Sequence, residues 1–221
     1  MQQQPQQPTE LPLFPLQTPL FPDGLLTLRV FEPRYLDMVR RCHSSGQPFG
    51  VLRLIEGGEV RRRGDAEGFV RERFESVGTL AHITTVLESP QPGLLLLRCR
   101  GGQRFELQRS TCLPHGLWMG QIHLLADDVA LALPPDLAPL APLLQSLLHS
   151  LAQGAADADL PIQPPYRWQD CGWLANRWSE LLPLNDAERQ HLMMSDSPLL
   201  RLELVADRLE QLGILPDAGP G

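Results

Sequence analysis

No lysine occurs anywhere in the 221 residues; all 19 basic side chains are arginine. Within this chain that absence excludes a phosphate-binding loop with its required lysine, a Schiff-base active site and a serine–lysine peptidase. Cysteine is scarce. Cys42, Cys99, Cys112 and Cys171 stand alone, with no CxxC pair, so the two paired half-sites of a structural zinc centre are missing. Three of the four fall on faces expected to be buried and read as small, reduced core residues. Long apolar runs are lacking too. The stretch Leu94 to Leu97 is among the longest and is far too short to cross a bilayer. The opening "MQQQPQQPTE" has neither the basic start nor the apolar centre of a secretory signal. It reads as a disordered Gln/Pro-rich tail. The expectation is a cytoplasmic protein with no membrane segment.

What is present is ordinary in amount and uneven in placement. An apolar fraction of 43% with 20% charged residues suits a folded chain of one large or two modest domains. Residues 1–126 carry 14 arginines against 12 acids, net +2; residues 127–221 carry 5 against 14, net −9. An acidic C-terminal half argues against broad nucleic-acid binding, which needs a positive face to neutralise phosphates.

The periodicity changes along the chain. "LPLFPLQTPLF" has apolar anchors at Leu11, Leu13, Leu16, Leu20 and Phe21, and its prolines at 12, 15 and 19 predict an edge strand or extended loop. After the turn signal Asp23-Gly24, Leu26, Leu28 and Val30 alternate as a strand. Glu32 then stands at a helix cap and Pro33 at the first helical position. Tyr35, Met38, Val39 and Cys42 follow on one stripe, with Gly46 in the left-handed closing role. "PFGVLRLIEG" is the next strand. From Val77 to Leu125 the pattern is strand throughout, with turns predicted at Pro90 to Gly93, Gly101-Gly102 and Pro114 to Gly116. Beyond Ala126, helices are predicted on wide leucine faces. The first carries Leu140, Leu143, Leu144, Leu147, Leu148 and Leu151 and ends at Gly154. The second has Cys171, Leu174, Ala175, Trp178, Leu181 and Leu182 on one side. Asn185 with Glu188 makes a capping-box pair for a third, and Ser197-Pro198 opens a fourth.

Local chemistry is thin. Cys112-x-x-His115 with His123 is the best metal-like group and has no second pair; no metal or cofactor is expected. There is no GxSxG elbow and no GxGxxG after a strand. Gly57-Gly58 reads as a hairpin turn, Glu32 with Arg34 as a helix start with its local ion pair, and Arg63-Gly64-Asp65 as a fortuitous tripeptide. Trp178 reads as core, whereas Trp173 lies off the apolar face of its helix.

The blocks "LPLFPLQTPLFPDGLLTLRVFEPRYLDMV", "PFGVL", "VGTLAHITTVLESPQPGLLLLRCRGGQRFEL" and "LPLNDAERQHLMMSDSPLLRLELVADRL" together resemble the Lon substrate-binding (Lon N-terminal) domain family, in the family's order, over most of residues 11–212. The resemblance implies an α+β fold: a PUA-like β-barrel subdomain with one packed helix, followed by a C-terminal four-helix bundle. The implied layout is a disordered tail at 1–10, the barrel at 11–126, the helical bundle at 127–214 and a loose tail at 215–221. It also implies recognition of other proteins, in a stand-alone bacterial form without the ATPase and peptidase modules. It transfers no catalytic residue.

The expected function is therefore a non-catalytic module that binds proteins or unfolded polypeptide segments. Apolar surface near the barrel–bundle junction and an unpaired edge strand are the expected docking modes. Leu20, Phe21, Trp118, Tyr166 and Trp173 are the candidate contacts, since they flank turns or the domain boundary. The rivals are an RNA-binding PUA-like module using Arg61 to Arg63, and a small-molecule enzyme using an interdomain cleft.

Overall fold

A computed structural model of the protein describes residues 9–58, 72–153 and 160–215; the arginines at 61–63, the tripeptide at 63–65 and Gly154 lie outside the described residues. The chain forms two compact units, residues 1–127 and 128–221.

The first unit is a six-stranded sheet with one helix. Its elements are β1 (Thr9–Leu16), β2 (Leu25–Val30), α1 (Pro33–Ser45), β3 (Phe49–Glu56), β4 (Arg73–Glu88), β5 (Leu95–Cys112) and β6 (Trp118–Leu124). The strand order is β2-β5-β4-β3-β1-β6, and a further β5–β6 pairing closes the sheet on itself. The long β5 makes this possible: Leu95 to Arg100 pair with β2, and Phe105 to Cys112 pair with β6.

Two turn-and-edge expectations are corrected. β1 is not a loop and does not lie at the end of the strand order, because it joins β6 to β3. It does so in halves. Thr9 to Leu13 pair antiparallel with β6, and Leu13 to Leu16 pair parallel with β3. Each half is thus paired on one side only, and backbone groups alternate between sides, so both halves have places where a proline costs no ladder bond. Pro12 and Pro15 differ in parity, one in each half. Likewise Gly101-Gly102 is not a turn; both residues lie inside β5. A side chain on Gly101 would collide with the Phe21 carbonyl, and one on Gly102 would sit 2.5 Å from His82 Nε2. The register against β4 shifts between Thr79 and Ala81, beside this pair. Close approach and a bulge, not reversal of direction, require these glycines.

The corner before α1 is architectural. Pro33 occupies the first helical turn, and Gly46 closes the helix with φ 69°. Glu32 makes no side-chain cap; its carboxylate accepts from Arg34 at 3.1 Å instead. Arg34 Nη1 also donates to the Gly116 carbonyl at 2.7 Å. One buried guanidinium thereby clips the start of α1 to the β5–β6 hairpin. The predicted stripe Tyr35, Met38, Val39 and Cys42 is buried, and the Tyr35 ring stacks on Phe14 with centroids 4.1 Å apart.

The second unit holds α2 (Leu140–Ala152), α3 (Cys171–Leu181), α4 (Asp186–Met194) and α5 (Pro198–Gln211). Every residue of α3 from Cys171 to Ser179 is buried, so this is the central helix, touched by α2, α4 and α5. Its N-cap is Asp170, which accepts from the Trp173 N–H at 2.7 Å. The Asn185–Glu188 capping box is formed, with bonds of 2.9 and 2.7 Å. On α2 the buried face is narrower than the leucine pattern predicts: Leu147 and Leu151 are exposed.

Burying α3 all round brings polar groups inside. Arg201 of α5, fully enclosed, donates to Asp128 Oδ2 at 2.7 Å and Oδ1 at 3.2 Å, to Asn176 Oδ1 at 2.8 Å, and to the carbonyls of Leu192 at 3.0 Å and Ser195 at 2.5 Å. Nearby, Arg177 is ion-paired with Glu180 at 3.0 Å. Burial pushes the Glu180 carboxyl up to about 7, against the opposing pull of Arg177 and Arg189. The native state then keeps a proton that the unfolded chain, titrating near 4.5, has already released. The associated stability is complete below that lower value and is lost as pH rises through about 7. Glu180→Gln should therefore gain on the wild type as pH is raised across this window, by up to about 3 kcal/mol of unfolding free energy. Urea melts of both proteins at several pH values check this; parallel pH profiles would contradict it.

Candidate functional site

A groove of about 590 Å³ opens on the first unit, and its origin lies in the divided pairing of β1. The ladder between β1 and β3 begins only at Leu13 and Gly50. Gln47 and Pro48, between the end of α1 and β3, line the groove. Thr9 to Pro12 are left with β6 on one side and the groove on the other.

The walls are largely apolar. α1 supplies Met38 and Cys42, with Arg41 and Ser45 at the rim; the β5–β6 hairpin and β6 supply Leu113, Leu117, Met119 and Ile122, with His115 at the rim. Leu11 and Leu80 line the opposite side. These residues belong to two separate core clusters. Leu117, Met38 and Cys42 pack in the larger cluster with α1. Leu11 and Ile122 pack with Leu13, Leu52 and Phe105 in the smaller one. The groove thus runs where the sheet's seam parts and the two clusters surface together. A concave, mostly apolar cleft with a few polar rim groups has the general character of a binding site.

Burial also explains the cysteines. Desolvation raises the thiols of Cys42, Cys99 and Cys171, Cys99 to about 12. Cys42 therefore stays a neutral thiol in the groove wall, although Arg41 pulls the other way. None of the four cysteines forms a disulfide. Among the described residues no group of three or more His, Cys, Asp or Glu stands close enough to hold a metal ion.

Of the five residues singled out from the sequence, Leu20, Phe21 and Trp118 fall in the first unit and Tyr166 and Trp173 in the second. Leu20 (5% exposed) and Phe21 (1%) are core, so their candidacy as contacts is corrected. Flanking a turn did not expose them, because the Phe21 carbonyl lies against Gly101 and the Leu20 carbonyl accepts from Thr79 at 2.6 Å. Trp118 is half-buried. Its indole N–H donates to Glu72, and its ring meets Phe74 edge-on at 5.1 Å. Trp173, although off the apolar stripe of its helix, is only 3% exposed. It joins Trp168 at 5.1 Å and Tyr166 at 6.3 Å, and Tyr166 stacks on Trp168 at 4.9 Å. Tyr166 and Trp173 are thus brought together, with Tyr166, 40% exposed, as the outward member. The groove residues escaped notice because their signal is a pairing boundary between segments distant in sequence.

Among the described residues the fold is a mixed α+β arrangement of a six-stranded sheet and five helices. The family model described as the ATP-dependent protease La (LON) substrate-binding domain matches residues 10–211, and the chain belongs to this family. The crystal structure of the Lon N-terminal domain protein from Xanthomonas campestris is similar, with 31% sequence identity and a TM-score of 0.67, covering 90% of this chain and 98% of that one. The N-terminal domain of the Mycobacterium avium complex Lon protease shares the fold at 16% identity, with a TM-score of 0.59 and coverage of 91% and 98%. No curated protein matches the chain. No helix among the described residues is long and apolar enough to cross a membrane.

Proposed function

We propose that the protein is a substrate-recognition module that binds polypeptide segments through the groove beside β1 and performs no chemistry of its own. Membership of a substrate-binding family supports the class of ligand. The observation that carries the location is the groove itself, apolar on its walls and bordered by a strand edge that β3 leaves unpaired. A cytoplasmic setting, a PUA-like character for the closed sheet and a four-helix-bundle character for the second unit belong to the same reading. The acidic balance of residues 127–221, 14 acids against 5 arginines, disfavours a nucleic-acid ligand.

The test uses a chemically unfolded, reduced protein as ligand. Leu113→Glu and Met119→Glu place a charge on half-buried groove positions, where an apolar ligand would have to desolvate it. Each is expected to weaken capture by about tenfold or more; both side chains also pack against the larger core cluster, so capture is compared at temperatures where the variants remain folded. Equal capture by wild type and both folded variants would remove the groove from the function.

A further inference from the structure

Resting on that reading of the groove, we infer that its occupant is an extended strand added to the edge of β1, with apolar side chains at alternate positions and an acidic residue on the side facing α1. The open edge of β1 suits a ligand of this form. In a strand, N–H and C=O groups point alternately to the two sides. Residues 9–12 have β6 along one side, and the ladder with β3 starts only at Leu13. The parity that lets Pro12 sit in this strand turns the Glu10 N–H and C=O and the Pro12 C=O toward the groove, with no strand to take them; Pro12 itself offers no donor. A helix has spent its backbone groups internally and cannot satisfy such an edge; an extended chain can.

The walls set the side-chain pattern. Residues of an added strand point alternately to opposite faces. One set would meet Leu11, Leu80 and Ile122, and the other Met38, Leu113 and Met119. The first wall is apolar and takes the apolar set; the second ends in the exposed Arg41 and His115, so the alternate set admits polar residues and the acidic one. Length is limited by the vacancy, since β3 occupies the ladder from Leu13 onward.

Charge sets the polarity. The α1 wall carries the exposed Arg41 at the rim, with exposed His115 on the hairpin, whereas Glu10 stands on the β1 side. A carboxylate carried by the ligand toward α1 would meet Arg41, and a cation there would be repelled. The rim thus discriminates between acidic and basic flanks of otherwise equal apolar segments.

The experiment uses short synthetic peptides and the full chain. The reference peptide alternates valine with threonine and carries one glutamate near an end. Its companions are a lysine replacement, an isomer of the same composition arranged with helical spacing, and a series with single backbone N-methyl groups. The expected result is binding of the reference, at least tenfold weaker binding of the helical isomer, and loss on N-methylation at every second position only. Arg41→Glu should reverse the preference from the glutamate to the lysine peptide while leaving the fold intact. Equal binding of the helical isomer, uniform tolerance of N-methylation, or an unchanged charge preference in Arg41→Glu would each overturn the inference. If groove-dependent capture of unfolded protein persists in that case, the recognition reading stands and the strand mode alone fails. If neither peptide nor unfolded protein binds, both fall.

Discussion

Replacing Arg201 with methionine is expected to destabilise the helical unit by about 3–5 kcal/mol, the range for breaking a buried charge pair from one side. The size follows from what the guanidinium does. It serves both oxygens of Asp128, the side-chain carbonyl of Asn176 and the backbone carbonyls of Leu192 and Ser195. Methionine fills similar volume but deletes all five of these bonds, and losing charge-assisted bonds to buried groups is costly. Lysine should do little better, because three donors on one nitrogen cannot span the positions reached by a planar fork. Adding Asp128→Leu to Arg201→Met removes the carboxylate that has lost its guanidinium and should recover part of the loss. Urea unfolding followed by far-UV circular dichroism measures all three; an Arg201→Met loss within about 1 kcal/mol of zero would show that the network is dispensable.

Phe105→Ala is expected to cost a similar amount, about 3–5 kcal/mol, in the sheet unit. The ring is fully buried, and it sits between two glycines. A side-chain carbon on either Gly50 or Gly78 would lie 2.8 Å from its tip. Those glycines exist to make room for the ring, so its removal leaves a void that neighbouring side chains cannot close. The two positions differ in a way that a double-mutant cycle can read. Gly50 is hemmed in by side chains of Phe105 and Leu13, whereas Gly78 also faces the backbone carbonyl of Val51. In the Phe105→Ala background, Gly50→Ala should become far less damaging than in the wild type. Gly78→Ala should remain costly. Equal behaviour at both sites would contradict this account of the core.

Elements with local signals were legible from the sequence. Pro33 and Gly46 bracket α1, and Asn185 with Glu188 opens α4, because caps are decided within a few residues. Signals with two physical meanings were not. A Gly-Gly pair permits a tight turn and equally permits close approach, and only the position of Phe21 and His82 selects the second at 101–102. Prolines excluded β1 from a strand paired on both sides throughout, but nothing local foretold that its pairing changes sides at Leu13. The same holds for Trp173. A single-face count places it outward, whereas α3 is enclosed on all sides by helices the periodicity does not locate. Arg201 and Asp128 are separated by 73 residues, so their union is invisible to spacing. The groove is assembled from residues 9–12, 38–48 and 113–124 with Leu80, and no short motif spans those segments.

The divided allegiance of β1 has a bearing on synthesis. As the chain leaves the ribosome, the first strand emerges long before either of its neighbours, β3 at Phe49–Glu56 and β6 at Trp118–Leu124. Its leading half has no partner until the last strand of the unit is out, and such distant pairings are slow to form. A nascent chain stalled short of residue 118 should therefore stay protease-sensitive around residues 9–13, and become protected there only once β6 has cleared the exit tunnel.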